Sequence, residues 1–156
     1  MQRLKYVGYS IVLQEVPDEI TLAFNISGCP YHCDGCHSSY LWNYTGRFVS
    51  DDLRDVLKKY SGLITCVCFM GGDQNRKDLD EMLSRIKRMN LKTAIYTGND
   101  TPELNWDLLD YVKYGHYDKT LGGLSSRNTN QKMLRKSADG EWEDITYKFW
   151  KEGETL

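Results

Sequence analysis

Leu53, Val56, Leu57 and Tyr60 fall at i, i+3, i+4 and i+7. That spacing predicts a helix from Asp51 to about Tyr60, capped by Ser50 or Asp51. Leu79, Met82, Leu83, Ile86 and Met89 share one face of a second such segment, with charges on the other, and predict a second helix. Different runs lie between them. Residues 20–27 (ITLAFNIS) are rich in strand formers and stop at Gly28. Residues 63–70 (LITCVCFM) read as a buried strand closed by Gly71-Gly72, and residues 91–96 (LKTAIY) as another that ends at Thr97-Gly98-Asn99. A short helix around 106–109 leads to a strand at 111–117. Beyond it, residues 131–137 and 142–149 flank Asp139-Gly140, a strong hairpin signal.

The order strand, helix, strand, helix, strand implies right-handed crossovers and a parallel sheet. A complete eightfold barrel takes roughly 250 residues, and the chain has 156. The expectation is therefore one α/β domain over residues 1–156. It would be a partial, open βα barrel with a parallel sheet and a C-terminal β-hairpin at about 131–149. Chemistry in such sheets gathers at the carboxyl ends of the strands. The cysteine-bearing loop after the first strand, the Gly-Gly-Asp turn and the Thr-Gly-Asn turn all fall there, so they are expected to face one site.

Charge narrows the partners. Net charge is −2 with no basic stripe, which argues against nucleic acid as a direct partner. No apolar run approaches the roughly 20 residues of a membrane span, and the N-terminus lacks the apolar core of a secretory signal. A cytoplasmic protein is expected. Five cysteines, an odd number without an export signal, favour metal or redox chemistry over a disulfide scaffold.

Three of them stand in Cys29-Pro-Tyr-His-Cys33-Asp-Gly-Cys36-His37, a C-x3-C-x2-C pattern. Soft thiolates this close select iron–sulfur clusters or zinc. Three ligands on a four-iron cube leave one iron open to a substrate. A zinc site completed by His32 or His37 is the alternative, although structural zinc usually draws on two separated ligand pairs. Cys66 and Cys68 lie two apart on a strand and share a face; packing is their expected role. Gly71 and Gly72 suit a turn that approaches a ligand closely. Asp73 reads either as a ligand-binding carboxylate or as a helix N-cap, and Thr97 with Asn99 either as ribose contacts or as a plain turn.

The C-x3-C-x2-C loop after a first strand, followed by Gly-Gly-acid after a second, resembles the radical S-adenosylmethionine superfamily. Within it, Cys33-Asp-Gly-Cys36-His37, Trp42, Gly46, Met70-Gly71-Gly72-Asp73, Tyr96-Thr97-Gly98, Ser126 and Asn130-Gln131 are similar to the activating proteins of anaerobic ribonucleoside-triphosphate reductase. The resemblance implies one [4Fe–4S] cluster on Cys29, Cys33 and Cys36. It also implies S-adenosylmethionine held by Gly35, Cys36, His37, Gly71, Gly72, Asp73 and Thr97. The implied activity is reductive cleavage of S-adenosylmethionine to place a glycyl radical on the large reductase subunit. Reduced flavodoxin or ferredoxin would supply the electron. Rival readings are an activase of another glycyl-radical enzyme such as pyruvate formate-lyase, a small radical enzyme of deazapurine synthesis, and a non-enzymatic zinc module. Three positions depart from the pattern: Gly35 where an aromatic is usual, Asp73 where many members carry Glu, and Tyr114-Gly115 for Asp-Gly.

Overall fold

The computed structural model describes residues 2–33, 35, 36 and 38–150. Its eight strands form one mixed sheet in the order β3-β1-β2-β4-β5-β6-β7-β8. They are β1 (Lys5–Val12), β2 (Thr21–Ile26), β3 (Arg47–Phe48), β4 (Cys66–Met70), β5 (Lys92–Tyr96), β6 (Tyr111–Tyr114), β7 (Lys132–Lys136) and β8 (Trp142–Asp144). β2, β4, β5 and β6 run parallel at the centre. β1 with β3 on one side, and β7 with β8 on the other, pair antiparallel.

Two helices, α1 (Val49–Lys59) and α2 (Arg76–Lys87), cover one face of the sheet. Side chains alternate across a strand. Val67 and Phe69 of β4 therefore join Leu53 and Leu57 of α1 and Met82 and Leu83 of α2. Cys66 and Cys68 point the other way, into a second cluster with Val16, Tyr111, Met133 and Ile145. Residues 13–19 form a strap over that second face. Val16 is fully buried, the Tyr96 hydroxyl donates to the Glu15 carbonyl, and the Tyr111 hydroxyl donates to Glu19 Oε2 at 2.8 Å.

Several boundaries differ from the sequence reading. α1 starts at Val49, so Ser50 and Asp51 lie inside its first turn and neither caps it. Phe48 occupies the cap position without a side-chain bond. The Val49 amide instead donates to the Leu4 carbonyl at 3.0 Å, so a tertiary contact satisfies a group that a cap would otherwise serve. The expected strand at 111–117 stops at Tyr114, because Gly115 turns the chain at φ +110°. Residues 146–149, expected as strand, form a 3₁₀ turn instead. Residues 106–108 are likewise a 3₁₀ turn, so no α-helix links β5 to β6. β1 was not anticipated at all. Gly8 interrupts its apolar pattern, and its register shifts between Tyr6 and Gly8.

Gly46 shows why a residue with no Cβ stands before β3. Its φ is +101°, and a Cβ there would lie 2.1 Å from the Tyr6 carbonyl oxygen. Gly46→Ala is expected to lower stability by about 2–3 kcal/mol, the scale of a backbone forced out of a strained region, because Tyr6 pairs with Arg47 in the adjoining ladder. Chemical denaturation with the wild-type m-value checks this.

Candidate functional site

Because β2, β4, β5 and β6 are parallel, their carboxyl ends share one edge of the sheet, and the loops that follow them meet there. A cavity of about 210 Å³ opens among them, lined in part by Cys29, Cys36, Gly71, Asp73, Thr97 and Lys113.

The loop after β2 closes on itself. The amides of Gly28 and Cys29 both donate to the Leu41 carbonyl, at 2.7 and 3.0 Å. The Gln74 side-chain amide donates to the Gly28 carbonyl at 3.0 Å. Within the loop the Cys36 amide donates to the Cys33 carbonyl at 3.1 Å, closing a tight turn with Gly35 at φ +77°. That turn needs a residue tolerant of positive φ. A Cβ on residue 35 would also lie 3.3 Å from the Tyr117 ring, a tight contact that the ring would have to yield to.

Cys29, Cys33 and Cys36 are all partly exposed. Burial raises the Cys29 pKa and the charges of Cys33 and Cys36 raise it further, while the amides of Tyr31 and His32 hydrogen-bond its sulfur and oppose the rise. The Ser38 amide donates to Cys36 Sγ at 3.3 Å. Such N–H···S bonds stabilise thiolates and tune the potential of a cluster they hold. Among the described residues no three Cys, His, Asp or Glu side chains gather closely enough for a single metal ion. A four-iron cube spaces its thiolates more widely than one ion does. His32 stacks on Trp42 at 4.4 Å and 16° between planes, so its ring is engaged elsewhere. His37 and Asp34 lie outside the described residues. Cys66 and Cys68 are fully buried, and burial pushes both thiols up, well away from ionisation.

The Gly-Gly-Asp turn has Gly71 at φ +107° and Gly72 at φ +105°. A Cβ on Gly72 would lie 3.1 Å from Leu4, so the missing side chain makes room against the core. Asp73 does not act as a cap. Neither the 3₁₀ turn it opens nor α2 has a side-chain cap bond. Its Oδ2 accepts from the Tyr31 hydroxyl at 2.9 Å, and its Oδ1 is buried with no hydrogen-bond partner. An unpaired buried carboxylate oxygen is costly unless something binds it. Thr97 is buried; its hydroxyl accepts from the Asn99 amide at 3.0 Å, which makes it a turn residue that also lines the cavity.

Lys113 escaped the sequence reading because it stands at a polar position of a short strand. It is 9% exposed. Its ammonium donates to the carbonyls of Gly115 at 3.1 Å and Thr97 at 3.5 Å. Burial pulls its pKa down to about 8, against the opposing fields of Cys33, Asp100, Cys29 and Cys36. One cation thus stands within electrostatic reach of all three loop thiols. The segment after it is held by the Gln131 amide on the Gly115 carbonyl and the Asn130 amide on the His116 carbonyl.

Residues 20–139 match the family profile described as a 4Fe-4S single cluster domain. The chain belongs to that family. The match runs from the start of β2 to the β7–β8 turn, so it takes in the three-cysteine loop and the strand ends around the cavity. No curated protein sequence matches the chain. A 4Fe–4S cluster requires soft thiolate ligands. Of the five cysteines in this 4Fe–4S domain, the two on β4 are buried as neutral thiols; Cys29, Cys33 and Cys36 are the set that fits. No described helix is long and apolar enough to cross a membrane.

Proposed function

We propose that this 4Fe–4S protein binds S-adenosylmethionine beside a cluster on Cys29, Cys33 and Cys36 and uses it to place a glycyl radical on a larger partner. The observation that carries the reading is the unpaired, buried Oδ1 of Asp73, set in one cavity with the cysteine loop and a buried lysine. A carboxylate oxygen without a donor fits an ammonium, and a buried ammonium fits a carboxylate; an α-amino acid carries both. Gly35, Cys36, Gly71, Gly72 and Thr97, with His37, complete the proposed contacts.

The bound cluster would supply one electron that cleaves the sulfonium carbon–sulfur bond, releasing methionine and a 5′-deoxyadenosyl radical that takes a hydrogen atom from the substrate. The residues of this chain do the rest. Asp73 and Lys113 orient the amino-acid end, the loop amides hold the thiolates, and the turns after β4 and β5 keep water from the reacting atoms. We read the open sheet as a partial βα barrel. Its ends at β3 and β8 do not close on each other, which leaves a flank for a peptide loop. A glycine Cα of anaerobic ribonucleoside-triphosphate reductase is the proposed hydrogen donor, with reduced flavodoxin or ferredoxin as electron source.

The test is anaerobic. Reconstituted protein, dithionite and S-adenosylmethionine are expected to yield methionine and 5′-deoxyadenosine in equal amounts. Addition of the reductase is expected to give an electron paramagnetic resonance doublet that collapses when its glycine carries deuterium on the α-carbon. Cleavage without a radical on any glycyl-radical partner would replace the activase with a small-molecule radical enzyme. No cleavage at all would overturn the reading.

A further inference from the structure

Tyr31 sits between two of the proposed cluster ligands, two residues after Cys29 and two before Cys33. Its side chain leaves that loop and touches both ligand-binding turns. The hydroxyl donates to Asp73 Oδ2 at 2.9 Å, and the ring lies so close to Gly98 that a Cβ there would come within 3.1 Å of Cδ2. Gly98 therefore leaves the space the ring fills. One side chain bridges the loops after β2, β4 and β5.

The consequence falls on Asp73. A carboxylate rotates readily about its last torsion, which has no sharp wells. Tying Oδ2 to a phenol removes that freedom and leaves Oδ1 as the oxygen without a partner. We propose that Tyr31 is a positioning residue that couples the cluster loop to the ammonium-binding oxygen of Asp73, so that loading the cluster presets the amino-acid subsite. The inference rests on the S-adenosylmethionine reading above. Coupling between two sites is reciprocal, so ligand binding also steadies the cysteine loop.

The experiment compares anaerobically reconstituted wild type, Tyr31→Phe, Asp73→Asn and the double variant. Iron content is measured, together with equilibrium binding of S-adenosylmethionine and of 5′-methylthioadenosine, which lacks the amino-acid end. Tyr31→Phe is expected to keep its iron and bind S-adenosylmethionine about tenfold more weakly, the usual scale for one hydrogen bond to a charged group. Its affinity for methylthioadenosine is expected to stay at the wild-type value. In the Asp73→Asn background the same change is expected to add little, since the two act as one unit. Equal weakening of both ligands would make Tyr31 a plain wall of the cavity and overturn the coupling. Unchanged S-adenosylmethionine affinity, full additivity with Asp73→Asn, or loss of iron from Tyr31→Phe would also overturn it. A wild type that binds no S-adenosylmethionine would instead remove the functional reading itself, and this inference with it.

Discussion

Cys29→Ala, Cys33→Ala and Cys36→Ala are each expected to give a colourless protein with little iron after anaerobic reconstitution, whereas Cys66→Ala and Cys68→Ala are expected to stay brown with wild-type iron. The split follows from environment. The thiolate is the ligand form, and the three loop cysteines are partly exposed, with backbone amides on the sulfurs of Cys29 and Cys36. Cys66 and Cys68 are buried in one cluster with Val16, Ala94 and Tyr111, where burial pushes both thiol pKa values up. Their replacement removes packing and, at Cys66, a contact with the Thr21 hydroxyl, at about 1 kcal/mol each. Iron analysis with the absorbance spectrum checks both halves. A Cys68 variant without iron beside a Cys29 variant that keeps it would reverse the assignment.

Lys113→Met is expected to keep the iron and to weaken S-adenosylmethionine binding tenfold or more. Methionine fills a similar volume, so the packing around β6 survives. The ammonium is held in place by two carbonyls and is already desolvated, so the cost of burying it is met before a ligand arrives. A hydrogen bond to such a charge contributes about 1.5–3 kcal/mol. Stability of the metal-free variant is expected to change by about 1 kcal/mol or less, because the Gly115 carbonyl retains the Gln131 amide as a donor and a buried charge is gone. Anaerobic titration read by equilibrium dialysis decides it. Wild-type affinity in the variant would remove Lys113 from the ligand-binding set.

The two predictions draw on unequal kinds of information. The three-cysteine pattern was legible in the sequence, since thiols within eight residues of one loop stay neighbours wherever that loop goes. The second prediction was not. Lys113 looks like any lysine on a strand until β6 is laid beside β5 and its ammonium falls among carbonyls of two loops. Tyr31 is similar. Its partner lies 42 residues away, and no local pattern announces such a contact.

The same division runs through the fold. The 3.6-residue spacing of Leu53, Val56 and Leu57, and of Leu79, Met82, Leu83 and Ile86, carried both helices, because a helix satisfies its own backbone bonds and needs only one apolar stripe. Strands β2, β4 and β5 were legible as short apolar runs stopped by glycine. β1 was not. Its Gly8 breaks the alternation, and it becomes a strand only because β2 and β3 bond it on both sides. The start of α1 was missed for a related reason: the Leu4 carbonyl, not a local side chain, receives the Val49 amide. That Asp73 caps neither the turn nor the helix, and keeps one buried oxygen unpaired, also waited on the tertiary structure. Local sequence determined which residues bring thiolates, turns and helical stripes. Packing between distant segments decided which polar atoms are paired and which buried oxygens, Asp73 Oδ1 among them, have no partner, because hydrogen-bond satisfaction depends on all neighbours at once.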